Sequence, residues 1–300
     1  MFQLSPSDYD LVFNHLNEVT ITCTFAHSVQ QNSAHGVIYV DNLTKPQTIF
    51  ISHSYGMSLL FGNVPSTENS NYQEITNWMI KHFTDVGVRS SMEWLQAFPP
   101  QPWKDYLKNI LGEKLLNYSP SESPLPGRVN IYTRINFKFN KEKFLQVKRP
   151  IPEGYQTKPI TKIEFDQLQG SVVPSRFWKS AEDWERRKCI GYYVTDFSES
   201  APFISWVFCG DQLDARREIE IGVETNAAYR GKGFSKYAAF ATLEYCIDNN
   251  ITPIWSCRGT NIASIRLANS VGFDTTQDNI PYYELPFKEF GGFDYRGSAL

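Results

Sequence analysis

Arg230-Gly-Lys-Gly-Phe-Ser235 is the stretch on which the fold turns. It follows a run of β character, Glu218-Ile-Glu-Ile-Gly-Val223. It precedes a helical segment from about Ser235 to Asp248, with Ala239, Leu243, Cys246 and Ile247 on one apolar face. Strand, glycine-rich turn and helix in that order gather main-chain donors around one point. Gly231 and Gly233 let the backbone fold closely about a ligand, and the loop amides converge as an anion nest. The helix start adds unpaired N–H groups and the positive end of its dipole. Arg230 and Lys232 set two cations beside it, so a phosphate or pyrophosphate is the natural occupant. The plainer reading is a tight strand-to-helix turn with surface charges.

Two better-known phosphate loops fail here. A P-loop needs GxxxxGK followed by Ser or Thr, but Lys232 is followed by Gly233 and position 227 is not glycine. A dinucleotide fingerprint needs GxGxxG, and Lys236 stands where its last glycine belongs. Outward from the loop, Asn249-Asn250 stops the helix and Thr252-Pro-Ile-Trp-Ser-Cys257 reads as a strand. Asn261 then caps a short helix, with Gly272 near its end. Upstream, Trp178 to Lys188 reads as helical, and Gly191–Thr195 and Phe203–Phe208 as strands.

This succession resembles the GCN5-related N-acetyltransferases (GNAT). Arg230-Gly-Lys-Gly-Phe-Ser235 is similar to their R-x-x-G-x-G/A loop, and Asn261-Ile-Ala-Ser through Gly272-Phe273 is similar to their N-x-x-[AS]…GF pattern. Within the superfamily the layout most resembles the zwittermicin A resistance-type acetyltransferases, a narrower match carried by Gly36-Val-Ile-Tyr-Val-Asp-Asn42 and Pro46. The resemblance implies an α/β (α+β) fold: a mixed, mostly antiparallel sheet with flanking helices in the C-terminal domain. It also implies acetyl-CoA as cofactor, its pyrophosphate cradled by Arg230, Gly231, Lys232, Gly233, Phe234 and Ser235. In the family two parallel central strands splay apart and pantetheine enters between them. That makes the amides of Val223 and Thr225, with Asn261 and Ser264, the further cofactor contacts. An amide aimed at a thioester oxygen is worth roughly 2.7–4 kcal/mol where such donors have been removed.

Direct transfer needs an uncharged amine, and a carboxylate near the acyl group, acting directly or through water, can take its proton. Glu218, Glu220 and Glu224 share one face of their strand, and Glu220 best matches the family's glutamate by its distance from Arg230. Its plainer reading is a solvated or salt-bridged glutamate. The tyrosine that commonly protonates the leaving thiolate is missing, because Ala268 occupies its place; Tyr282 or Tyr283 is the available substitute, although tyrosines are more often core residues. Asn261 reads equally as a plain helix cap. Cys257 ends its strand near the acyl site, but no histidine follows it in this half, and it reads as packing.

The first half differs in rhythm. Gly36–Asp41 and Gln47–Ser52 form a hairpin about Lys45-Pro46, Met57–Phe61 adds a strand, and Tyr72–Phe83 has helical spacing. Arg128 to Phe139 is a strand, and a Pro-rich break at Lys148–Gly154 follows. The chain therefore divides into residues 1–145, a smaller α+β domain shaping the acceptor site or a subunit contact, and residues 146–300, the GNAT domain. No sequence repeat is visible, but the strand-rich order suits a degenerate copy of the same fold. Ser52-His-Ser-Tyr-Gly56 lacks the first glycine of a hydrolase elbow, and the five dispersed histidines carry no metal spacing.

The 300 residues are 41% hydrophobic and 15% aromatic, which suits packed domains and not disorder. The formal charge of −3 gives no basic field for nucleic acid. The amino terminus lacks the pattern of a secretory signal, the apolar runs are too short for a membrane span, and the five scattered cysteines suggest reduced thiols, so a cytoplasmic protein is expected. The expected activity is acetyl-CoA-dependent N-acetylation of a primary amine on a small molecule, an aminopolyol antibiotic included, by direct attack in a ternary complex. Two alternatives stay open: a protein or peptide acceptor, and a catalytically silent acyl-CoA-binding module. A homodimer is compatible with either.

Overall fold

The computed structural model describes residues 1–68, 70–89, 91–117, 127–198, 200–213 and 216–288. In chain order the strands are β1 (Phe2–Gln3), β2 (Gly36–Val40), β3 (Thr48–His53), β4 (Met57–Gly62), β5 (Glu93–Phe98), β6 (Leu115–Asn117) and β7 (Val129–Phe139). They continue as β8 (Tyr155–Pro159), β9 (Gly191–Asp196), β10 (Ser205–Leu213), β11 (Glu218–Thr225), β12 (Thr252–Arg258), β13 (Phe273–Thr275) and β14 (Ile280–Leu285). The helices are α1 (Phe13–Asn17), α2 (Thr24–Gln30), α3 (Tyr72–Thr84), α4 (Pro100–Leu111), α5 (Lys141–Val147), α6 (Lys162–Gln167), α7 (Ala181–Arg186), α8 (Ser235–Asp248) and α9 (Ile262–Ser270). This is a mixed α/β fold in which most strand pairs are antiparallel.

The chain forms two compact units, whose described parts are residues 1–134 with 279–288, and residues 135–278. The boundary expected near 145 follows the Pro-rich break in composition. The contact division falls earlier and returns β14 to the first unit, where it pairs with β5 and β7.

In the first unit the strands run β1-β2-β3-β4-β5-β14-β7 across the sheet. Ile75, Met79 and Phe83 recur one turn apart on α3 and are buried, as their spacing requires. They meet Phe50, Leu60 and Leu95 of the sheet and Trp103 and Leu107 of α4 in one core. Each such side chain contributes about 1.5–3 kcal/mol on full burial. The strand before α3 and the strand after it are parallel, and their register runs unbroken from Met57↔Trp94 to Phe61↔Phe98.

The second unit repeats that succession: β8-α6-α7-β9-β10-β11-α8-β12-α9-β13 follows the order β1-α1-α2-β2-β3-β4-α3-β5-α4-β6. Its strands lie in the order β8-β9-β10-β11-β12, with β11 and β12 parallel. Helix α8 packs over β9 and β10, and its Ala238, Ala239, Leu243 and Cys246 are buried. The small alanines let the helix approach the strands closely. The helix expected over Trp178 to Lys188 is shorter. Ser180 caps it by accepting from the Asp183 amide at 3.1 Å, while Trp178 is buried ahead of it and donates its indole N–H to the Cys209 carbonyl at 2.7 Å. A serine with extended backbone competes for the helix start, so the preceding residues are left outside.

Candidate active site

The site is built where β11 and β12 part. Their parallel register holds for Glu218↔Thr252, Ile219↔Pro253 and Glu220↔Ile254 and ends there, although β11 continues to Thr225 and β12 to Arg258. On the other side β11 stays paired with β10 as far as Ser205↔Thr225. The Asn226 amide donates to the Ile204 carbonyl at 2.9 Å, which fixes the parity of this antiparallel ladder. Trp206↔Glu224 and Phe208↔Gly222 are hydrogen-bonded pairs, and Ser205↔Thr225 and Val207↔Val223 are not. The N–H groups of Val223 and Thr225 therefore point away from β10, into the gap left by β12. The Thr225 carbonyl points the same way and accepts from Arg230 Nε at 3.1 Å.

From Thr225 the chain enters the glycine loop. Gly231 and Gly233 have φ of +76° and +78°, and a Cβ on either would meet no atom within 4 Å. Among the described residues, no hydrogen bond is donated by the amides of residues 231–235. Helix α8 starts without a side-chain cap; the Lys236 and Tyr237 amides donate to the Gly233 and Phe234 carbonyls at 3.2 and 3.0 Å, which leaves the Ser235 amide with the loop. The Arg230 guanidinium ties the loop to the end of β11, and Lys232 Nζ lies over the Tyr229 ring, 5.3 Å from its centroid. Phe234 is different: its side chain is buried against Tyr155, with ring centroids 4.7 Å apart. It anchors the loop, and only its main chain faces the cradle. A run of main-chain donors without partners among the described residues, with two cations beside it, suits a diphosphate.

Glu218, Glu220 and Glu224 share the face opposite buried Ile219 and Ile221. Glu220 stands at the last paired position and accepts from Ser256 Oγ of β12 at 2.6 Å. Glu224 lies four residues further on and accepts from the Val172 amide at 2.8 Å, the Ser171 amide at 3.3 Å and the Ser171 hydroxyl at 3.2 Å. Asn261 caps α9, its Oδ1 accepting from the Ser264 amide at 3.0 Å, and Ser264 Oγ accepts from the Trp255 indole at 3.0 Å. The cap accounts for the Asn261 oxygen and leaves its amide nitrogen as a donor.

Ala268 is fully buried. Neither proposed substitute acid belongs to this unit, because Tyr282 and Tyr283 lie on β14 in the first. Tyr282 accepts from Arg134 Nη1 at 3.1 Å and stacks on Trp94. Tyr283 sits in the first core, where burial pushes its phenol pKa up. Both are packing residues of that sheet. Cys209 and Cys246 are buried thiols whose pKa burial raises, to about 12 for Cys246, which makes them poor nucleophiles. Ser256 and residues 170–172 escape a reading of the sequence, because only the register and the loop path bring them to Glu220 and Glu224. Among the described residues no group of His, Cys, Asp or Glu has the arrangement of a metal site, and no helix is long and apolar enough to cross a membrane.

A family model described as GNAT acetyltransferase matches residues 14–282. The chain belongs to the GNAT acetyltransferase family. An N-acetyltransferase of Bacillus subtilis (strain 168), YdfB, itself uncharacterised, is 24% identical over 262 residues, covering 87% of this chain and 90% of that protein. The crystal structure of a GCN5-related N-acetyltransferase-like protein from Streptococcus suis 89/1591 has a TM-score of 0.63 at 18% identity, covering 93% and 98% of the two chains. A tandem GNAT protein from the clavulanic acid biosynthesis pathway has a TM-score of 0.56 at 10% identity, covering 96% and 98%. These likenesses concern the fold. As a GNAT member the chain is an N-acetyltransferase, and acetyl-CoA is the acyl donor of the family.

Proposed function

We propose that this GNAT acetyltransferase binds acetyl-CoA along the open edge of β11 and acetylates a primary amine of a small molecule in a ternary complex. One observation carries the reading: the β11/β12 ladder stops at Glu220/Ile254, and the exposed edge runs directly into a loop of undirected amides. Acetyl-CoA supplies an activated thioester when bound. The amides of residues 231–235, with Arg230 and Lys232, take its diphosphate; those of Val223 and Thr225 take the pantetheine and the thioester carbonyl; the Asn261 amide nitrogen and the Ser264 hydroxyl line the arm. Fixed donors of this kind need no reorganisation when charge develops.

Glu220 is the base. An ammonium has no lone pair, so the acceptor must lose a proton, and the Glu220 carboxylate stands where β12 leaves and the gap begins. Ser256 orients it by donating to Oε1 at 2.6 Å, and the carboxylate takes the proton of the incoming amine. No tyrosine acid stands at Ala268, and the coenzyme A thiolate is a good enough leaving group to depart without one. The acceptor class, an aminopolyol such as a zwittermicin-type antibiotic, follows from the family resemblance, and the cytoplasmic setting from the amino-terminal sequence, the short apolar runs and the scattered cysteines. Release of free thiol from acetyl-CoA, followed with glucosamine, 1,3-diamino-2-propanol and spermidine, tests the reading. Turnover is expected with at least one amino alcohol; cofactor binding without turnover on any of them refutes the small-amine acceptor. Glu220→Gln is expected to lower kcat by about 10²–10⁴-fold with acetyl-CoA affinity unchanged, and an unaltered pH–rate profile removes Glu220 as the base.

A further inference from the structure

Glu224 has the same strand face as Glu220 but a different occupation. Its carboxylate takes three donors from one short segment: the amides of Ser171 and Val172 and the Ser171 hydroxyl, at 2.8–3.3 Å. The segment is held from two further directions. Trp206 Nε1 donates to the Val172 carbonyl at 2.7 Å, and Arg176 Nη1 donates to the Ser171 carbonyl at 3.3 Å. Two glycines make the close approach feasible. A Cβ on Gly170 would overlap the Glu224 carboxylate, and one on Gly222 would lie 2.7 Å from the Phe208 ring and 3.2 Å from Val172 Cγ1. Gly222 stands between Glu220 and Glu224 on their shared face, so Val172 covers the strand one pleat away from Glu220.

We propose that Glu224 is a positioning residue that clamps residues 170–172 across the Glu220-bearing face of β11, making Val172 and its neighbours the wall against which the acceptor amine is held. Three donors occupy the carboxylate, so Glu224 is neither a second base nor the anchor of the incoming ammonium. Its charge is used to fix a main-chain segment that has no regular secondary structure of its own. The proposal rests on the reading that the amine approaches on the Glu220 face.

Three variants test it. Glu224→Gln replaces a carboxylate oxygen by an amide nitrogen that faces donors. Gly170→Ala displaces the same carboxylate without changing any charge, and Ser171→Ala removes one donor of the three. Hydrogen exchange on the full chain should show faster exchange at residues 170–173 in Glu224→Gln and Gly170→Ala, and unchanged exchange at 231–235. With whichever amine of the panel the wild type acetylates, both variants should raise KM for the amine about 10- to 100-fold and leave KM for acetyl-CoA within twofold; Ser171→Ala should shift it less. Unchanged exchange at 170–173, an unchanged amine KM, or amine and acetyl-CoA KM rising together would each overturn the proposal. If the wild type acetylates none of the amines, the small-amine reading fails and the clamp stands or falls on exchange alone. If Glu220→Gln keeps its full rate while Glu224→Gln shows the KM split, the base assignment fails and the clamp survives.

Discussion

Gly233→Val is the most direct probe of the phosphate cradle, because the structure separates its effect on binding from its effect on folding. Gly233 has φ +78°, and the space a side chain would enter is open for 4 Å. The cost to the unliganded protein is therefore backbone strain, about 1–2 kcal/mol for an L-residue in the left-handed region, and the variant stays folded. Binding suffers more. A valine that keeps the left-handed conformation puts its branched side chain into the open space beside the loop amides. One that relaxes to negative φ turns the neighbouring amides away. Either route removes about two hydrogen bonds to a charged group, each worth roughly 1.5–3 kcal/mol. The sum, about 3–6 kcal/mol, weakens binding by about 10²- to 10⁴-fold. Titration calorimetry with acetyl-CoA and with coenzyme A reads the loss, and S-acetylpantetheine, which lacks the diphosphate, should bind wild type and variant alike. A folded Gly233→Val protein whose Kd for acetyl-CoA stays within about threefold of wild type would refute the cradle assignment.

Three other outcomes follow from the first unit. Its parallel pair β4/β5 is closed from Met57↔Trp94 to Phe61↔Phe98, and Asn63-Val-Pro-Ser-Thr-Glu-Asn-Ser-Asn71 after it offers neither glycine nor cation; calorimetry should find one acetyl-CoA per chain, and a second site would contradict the closed ladder. His82 stacks on Trp78 at 4.3 Å, and burial, with Arg89 nearby, lowers its pKa to about 3. The unfolded chain takes up this proton near pH 6.5 and the folded one does not, so stability should fall by about 1.4 kcal/mol per pH unit from about pH 6 towards 3; urea titrations of His82→Phe should show a shallower acid limb, and an identical limb would remove His82 as its source. Arg89 and Glu93 form a pair at 2.6 Å with side chains only 5% and 9% exposed. Glu93→Ala leaves that guanidinium buried without its carboxylate, at a cost of about 3–5 kcal/mol measured by urea unfolding; a loss below 1 kcal/mol would show that solvent reaches Arg89.

Much of the second unit is legible in the sequence because its signals are local. The apolar spacing of α8, the Asn261 cap and the glycines at 231 and 233 each act within a few residues, and the structure has all three. Phe234 shows the limit of such reading. Its place in the loop suggests a ligand contact, whereas Tyr155, distant in sequence, draws its ring into the core. Tyr282 and Tyr283 show it again, since strand pairing with β5 and β7 puts them in the other unit. The repeated element order is likewise invisible as a sequence repeat, because a fold constrains polar and apolar pattern far more than residue identity.

Alternation and turn chemistry determined the strands, the central helix and a loop able to hold an anion, since each depends on contacts between near neighbours. Tertiary structure decided the rest: where the β11/β12 ladder stops, which amides face the gap, that Ser256 meets Glu220, and that Glu224 is engaged by residues 170–172. Those outcomes depend on register and on a loop path some fifty residues away in sequence. The free energy that fixes them comes from long-range packing and pairing, which no local pattern encodes.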